Sequence, residues 1–173
     1  NQGGCKSRNT GAFEAKGQYI SFLDDDDFFD PTKIEEQLTF FKSNIQLDAC
    51  ISHMFRIDEN NNQIQSRENK ARGTNLKEAI LDGNLFTSML LIKKEVFINL
   101  GGFSEIDRYQ DKYFHYKFLE NGFKIGVLNK TLLTLVEHNE TRISLAASHK
   151  IISSLNILHD FELKHKHLFN NKE

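Results

Sequence analysis

Tyr19-Ile20-Ser21-Phe22-Leu23-Asp24-Asp25-Asp26-Asp27 is the stretch on which the reading of this chain turns. Its first five residues are aromatic, β-branched or aliphatic and read as a buried strand, with Phe22 and Leu23 expected beneath the acidic run. The four consecutive carboxylates repel one another and resist burial unless paired or bound to a cation. An acidic run at the carboxyl end of a core strand sits where open α/β sheets bind ligands. Asp-x-Asp oxygens there can hold a hard divalent cation, and the cation can hold a phosphate. A plainer reading is a solvated turn that caps the next helix, with Asp30 as N-cap and Pro31 at the first helical position. Cap and metal site are compatible.

Working outward, Cys5–Lys16 has helix character, with Ala12, Phe13 and Ala15 on one side and Gly17 closing it. Gly3-Gly4 feeding a helix start with Arg8 and Asn9 in its first turns would present N–H groups and a cation to an anion. Pro31–Ser43 reads as a helix facing inward through Ile34, Leu38 and Phe41, and Asp48–Arg56 as a strand. Asp58–Gly73 is a polar loop or hairpin. Asn75–Leu81 is a short helix, Phe86–Ile92 a strand, and Lys94–Leu100 a short helix stopped by Gly101-Gly102. Gln110–Glu120 is a periodic helix with Phe114, Phe118 and Leu119 inward and Asn121-Gly122 at its end. Lys124–Leu128 and Leu132–Val136 read as two short strands. A long amphipathic helix runs over about 144–168, with Ile151, Leu155, Leu158, Phe161 and Leu168 as its stripe. Strands alternating with helices predict an α/β layered fold in one domain over residues 1–173.

The bulk numbers exclude several classes. A chain of 173 residues can build one ordinary core, and 39% hydrophobic content with 15 Phe indicates a globular protein. A net charge of -2 leaves no basic excess for nucleic acid. No apolar run is long enough to span a bilayer, and the start does not read as a signal peptide. Two cysteines, Cys5 and Cys50, are too few for a disulfide framework and read as reduced thiols of a cytoplasmic protein. The opening Asn1-Gln2-Gly3-Gly4, with no Met, reads as a cut through a longer protein.

Several stretches, taken together and in order, resemble the nucleotide-sugar glycosyltransferases of family 2. They are Asn1-Gln2-Gly3-Gly4-Cys5-Lys6-Ser7-Arg8-Asn9, Ala15-Lys16-Gly17 with the strand and acidic run, Gly101-Gly102-Phe103-Ser104-Glu105 with the later Gln110-Asp111, and a looser tail from His138 to Ser144. The resemblance covers nearly the whole chain. It implies the GT-A fold, a central mixed sheet flanked by helices, here without the strand-helix-strand unit that opens family members and carries half of the nucleotide pocket. Gln110 stands where the family often has Glu, before Asp111.

The resemblance also implies site roles. Asp111 would be the general base that deprotonates the acceptor hydroxyl; its spacing alone favours a carboxylate complementing the dipole of a helix start, and the resemblance reverses that reading. Arg8, Asp24 and Asp25 would bind the nucleotide donor. Asp26, Asp27 and His138 would hold a divalent cation, Mn²⁺ or Mg²⁺. One base without a nucleophile implies a single displacement with inversion. The expected donor is a nucleotide-diphosphate sugar, a UDP-sugar, and the expected acceptor a saccharide or lipid-linked sugar in bacterial surface polysaccharide synthesis, with peripheral attachment to the inner membrane face compatible with the sequence.

Rival readings stay open on the sequence. A haloacid-type phosphatase would use Asp24 as nucleophile and Asp26 as acid-base, but Phe28 stands where a smaller residue is usual and no later aspartate pair supplies a metal site. Asp24, Asp26 and Glu35 fall at EF-hand spacing, yet Phe28 and Phe29 occupy a ligand position and the glycine position. A third reading is a catalytically inert piece of a GT-A domain. Of the remaining histidines, His149, His159, His165 and His167 fall in the expected terminal helix at mixed spacing and lack metal-site spacing.

Overall fold

The computed structural model describes residues 3–58, 60, 69–137 and 148–169. Among these, five strands form one mixed sheet: β1 (Tyr19–Ser21), β2 (Phe28–Phe29), β3 (Ala49–Asp58), β4 (Leu90–Lys93) and β5 (Ile125–Glu137), in the order β1-β4-β3-β5-β2. β3 and β5 are parallel and the other pairings between these strands are antiparallel. The helices among the described residues are α1 (Gly4–Glu14), α2 (Lys33–Ser43), α3 (Leu76–Asp82), α4 (Lys94–Asn99), α5 (Gln110–Glu120) and α6 (Ser148–Lys164).

Strand alternation divides the sheet into two faces. Ile20, Ala49, Ile51, Leu90 and Ile92 point to one face, where Ala12 of α1, Val96 and Phe97 of α4, and Phe114 and Phe118 of α5 cover them. Cys50, Leu91 and Tyr19 point to the other and meet Leu38, Phe40 and Phe41 of α2. Outside this sandwich α6 docks on α3 and α5 through Leu158 and Phe161, which meet Ala79 and Tyr116.

The α1 side carries the contacts that position the site. Four phenylalanines interlock there, with ring centroids 5.4 Å apart for Phe22–Phe97, 5.3 Å for Phe22–Phe103, 5.4 Å for Phe97–Phe114 and 5.0 Å for Phe103–Phe114. Phe22 nearly abuts the acidic run, Phe103 comes directly after the glycine pair, and Phe114 lies one turn after Asp111. Edge-to-face and tilted aromatic contacts add specific geometry to area burial. The cluster therefore ties three distant stretches of sequence to one another.

Several expectations change. Leu23 is 50% exposed, because β1 ends at Ser21 and the chain has already turned out of the sheet. The N-cap of α2 is Thr32 and its first residue Lys33. Asp30 instead closes the preceding turn, accepting from the backbone N–H and the hydroxyl of Thr32. α2 turns inward through Lys33, Gln37 and Phe41, while Ile34 is exposed. The lysine is accommodated because Nζ donates to Gln37 Oε1 at 2.8 Å and to Ser21 Oγ at 3.3 Å and lies 4.1 Å from the Phe29 ring centre. Burial pulls its pKa down to about 8.

The two short strands expected after α5 are one long strand, with the pairing to β3 slipping around His53. His53 fixes that irregularity, its Nε2 on Asn129 Oδ1 and its Nδ1 accepting from the Ala71 N–H. The Phe86–Ile92 stretch is a 3₁₀ turn, Thr87–Met89, before β4 begins. The terminal helix ends at Lys164 and a separate 3₁₀ turn spans Lys166–Leu168, so the expected single helix to 168 is broken at His165. Leu155 is exposed, and Ser154 and His165 join Leu158 and Phe161 on the buried side. Most of the Asp58–Gly73 loop and the first residues of the expected terminal helix lie outside the described residues.

Candidate active site

The acidic run leaves the sheet as a turn, with the Asp27 N–H on the Asp24 carbonyl at 3.1 Å. The turn sends its four carboxylates in different directions. Asp25 and Asp26 are exposed, Asp24 is half-buried, and Asp27 is buried. Asp27 faces inward and accepts from Ser88 Oγ at 3.2 Å and from the Val136 N–H at 3.3 Å. Burial pushes its pKa up to about 6, and the neighbouring Asp26 and Asp24 push the same way. Asp27, grouped with the metal residues in the sequence, is thus engaged by protein on both oxygens. It links the acidic turn to the 3₁₀ turn and to β5.

Asp24 forms an ion pair with Arg8 Nη2 at 2.5 Å. Arg8 lies in the second turn of α1, whose N-cap, Gly3, has φ 79. A Cβ at Gly4 would lie 3.0 Å from Arg8 Nη1, so the glycine leaves room for the guanidinium to fold back over the helix start. Beside it, Asn9 makes a two-way bond to the backbone of Phe103: Nδ2 donates to the carbonyl and Oδ1 accepts from the N–H, each at 2.8 Å. Gly101 and Gly102 have φ of 76 and 71, left-handed values that favour glycine. A Cβ on Gly102 would meet Asn9 Oδ1 at 2.5 Å. The Arg-Asn pair therefore joins two stretches, one residue on the acidic run and the other on the glycine turn.

Asp111 occupies the first turn of α5. Its Oδ1 accepts from the Lys112 N–H at 2.8 Å. Part of the residue remains accessible, yet burial is the largest influence on its carboxyl and raises the pKa, with Arg8 drawing it down and Asp24 pushing it up. The structure therefore brings Arg8, Asp24 and Asp111 into one electrostatic neighbourhood. Cys5 joins them: its Sγ faces the Ile106 carbonyl at 3.8 Å, and Arg8, Glu105 and Asp111 all act on the thiol. His138 and the His138–Ser144 tail lie outside the described residues.

The sequence reading assigns no separate role to Asn9, Ser88 or Val136. Asn9 stands in a quoted motif, and its link to Phe103 carries no local signal because the two are 94 positions apart.

Exposed carboxylate oxygens at the run suit Mg²⁺ or Mn²⁺, hard ions that take oxygen ligands. Among the described residues no group of three or more His, Cys, Asp or Glu is placed to hold a metal on its own.

This chain belongs to glycosyl transferase family 2, whose family model matches residues 1–109. It is 26% identical over 174 residues to an uncharacterized glycosyltransferase of Methanocaldococcus jannaschii, covering 99% of this chain and 60% of that one. It is 36% identical over 119 residues to an uncharacterized glycosyltransferase of Haemophilus influenzae, covering 65% of this chain and 39% of the other. Among solved structures it shares its fold with S. aureus TarS 1-349 in complex with UDP-GlcNAc. The TM-score is 0.64 at 18% identity, across 84% of this chain and 42% of that one. The fold is GT-A. The chain spans 60% or less of these curated relatives. With the family shown, the haloacid-phosphatase reading lapses. The calcium-loop reading fails as well, because Phe28-Phe29 is a strand paired with Thr134 and Leu133 of β5.

Proposed function

We propose that the protein containing this chain transfers a sugar from a nucleotide-diphosphate donor, a UDP-sugar, to a saccharide or lipid-linked acceptor with inversion, in surface polysaccharide synthesis at the cytoplasmic face of the membrane. One observation carries the reading: Arg8 is ion-paired with Asp24, and its charge also draws down the pKa of Asp111, so a donor-side cation and a candidate base lie in one electrostatic neighbourhood. TarS, of like fold, has been crystallised with UDP-GlcNAc and with UDP, which supports the donor class. No helix among the described residues is long and apolar enough to cross a membrane, which is compatible with peripheral attachment.

Asp111 accepts the proton of the acceptor hydroxyl. The freed oxygen attacks the anomeric carbon as the bond to the diphosphate oxygen breaks, and the electron pair leaves with the diphosphate. Arg8 answers the charge that develops there through charge-assisted hydrogen bonds. Asp24 holds the guanidinium in place and, with Asp25, faces the donor. Asp26, with Asp24 beside it, would hold Mg²⁺ or Mn²⁺, which when bound supplies Lewis-acid neutralisation of the phosphates. Asp27 supports the turn from behind. Burial that raises the Asp111 pKa makes its carboxylate a stronger base than an ordinary Asp.

Titration calorimetry on the full-length protein tests the donor side. Mn²⁺ is expected to bind more tightly in the presence of UDP than alone, and Asp26→Ala is expected to abolish that coupling. Metal affinity indifferent to UDP, or coupling retained in the variant, contradicts the assignment.

A further inference from the structure

We propose that Ser154, on α6, is a positioning residue for Asp111, holding the strained segment from which α5 starts. The proposal rests on the reading of Asp111 as the base.

Tyr109 is the N-cap of α5, with φ 60 and ψ 27, and among the described residues no other non-glycine residue has a positive φ. A bulky side chain in the left-handed region is strained and persists only where its surroundings over-determine it. Here the surroundings come from α6. The Arg108 N–H donates to Ser154 Oγ at 3.1 Å, and that hydroxyl donates in turn to the Lys150 carbonyl at 3.0 Å. Ser154 is 1% exposed, so the acceptor it offers cannot be replaced by bulk water. Lys150 Nζ also pairs with Asp107 Oδ1 at 3.1 Å. The Tyr109 carbonyl then accepts from the Tyr113 N–H and starts the helix.

Residues 103–109 are therefore held at both ends, by Asn9 of α1 at Phe103 and by α6 at Asp107 and Arg108. Asp111 comes two residues after the strained position. A change of φ at Tyr109 would swing the first turn of α5, and with it the Asp111 carboxyl, relative to Arg8 and Asp24. Phe114 and Phe118 would still anchor the rest of α5 in the core, so the disturbance stays in the first turn.

The test uses the full-length protein and two readouts. In Ser154→Ala, amide exchange at residues 108–112 is expected to rise by about tenfold, the worth of one hydrogen bond, while exchange in the remainder of α5 is unchanged. In the same variant kcat is expected to fall by roughly tenfold to a hundredfold with UDP affinity intact, the loss expected from misplacing a catalytic group. Adding Tyr109→Gly, which adopts the left-handed backbone without strain, is expected to restore much of kcat. Unchanged exchange at 108–112 overturns the proposal whatever the chemistry of the site. So does unchanged kcat, a parallel loss of kcat and UDP affinity, or a failure of Tyr109→Gly to rescue. Asp111→Asn, assayed alongside, separates the two claims: full activity there defeats the base assignment, while exchange still decides the role of Ser154. If Ser154→Ala does not fold, Ser154→Cys, which keeps the side-chain shape but replaces the hydroxyl by a weak acceptor, carries the same expectations at smaller size; unchanged exchange at 108–112 in that variant overturns the proposal.

Discussion

His115 is buried on α5, with Nε2 donating to the Gly73 carbonyl at 2.6 Å. Burial drives its pKa down to about 4, against a small opposing effect of that hydrogen bond. The folded state therefore holds the ring neutral while the unfolded chain titrates near 6.5. As pH falls from about 6.5 towards about 4, the unfolded state takes up a proton that the folded state refuses, and stability is lost over that window. The full effect is about 3 kcal/mol at the rate of about 1.36 kcal/mol per pKa unit. Denaturant unfolding across this range is expected to show the decline. His115→Gln, which keeps an N–H for Gly73, should flatten it, and an unchanged slope would place the acid sensitivity elsewhere. Single residues are only partly legible in the sequence. That carboxylates cluster after a core strand is plain, but which of the four turns inward is not. Ser88 and Val136, which hold Asp27, arrive from 61 and 109 positions away.

Elements are legible where hydrophobic period and punctuation agree. α5 reads as a helix from its Phe114–Phe118 spacing and stops at Asn121-Gly122, where Gly122 has φ 80. Phe118 is 1% exposed, in contact with Phe114 and Phe123. Phe118→Ala is expected to cost about 3–5 kcal/mol by chemical denaturation, as for other large core truncations. A near-neutral result would mean the helix presents another side to the sheet. In α2, period alone selects Ile34, Leu38 and Phe41, whereas tertiary partners for Lys33 and Gln37 rotate the buried side onto them. Gln37 Nε2 reaches the Met89 carbonyl at 3.0 Å, a bond no local pattern announces. β5 reads as two strands, Lys124–Leu128 and Leu132–Val136; in the sheet the gap between them is an irregularity absorbed at His53. The exit of the chain after Ser21, which leaves Leu23 exposed, depends on the acidic turn rather than on hydropathy.

For the whole molecule, the fold class is legible in strands alternating with helices, and the family in motifs ordered along the chain. The sheet order is not, since Ser21 of β1 reaches Leu90 of β4 across 69 positions and the acidic turn reaches Val136 of β5 across 109. That order is what brings the candidate site residues together. The sheet and the cluster of Phe22, Phe97, Phe103 and Phe114 set the acidic turn against the start of α5, and Arg8 bridges them electrostatically. On the proposed mechanism this juxtaposition sets a base opposite a bound donor, and in the unmodified protein transfer is expected to decline as pH falls through a value above the ordinary Asp range, because the Asp111 pKa is raised. The decisive variant is Asp111→Asn in the full-length protein, since the amide keeps an oxygen for the Lys112 N–H while removing the base. The transfer rate is measured beside UDP affinity for the same variant. UDP binding is expected to stay intact while transfer slows by roughly 10²–10⁴-fold, the usual worth of general-base catalysis. Full transfer activity in the variant would contradict the base assignment, and loss of UDP binding would move Asp111 into the donor site instead.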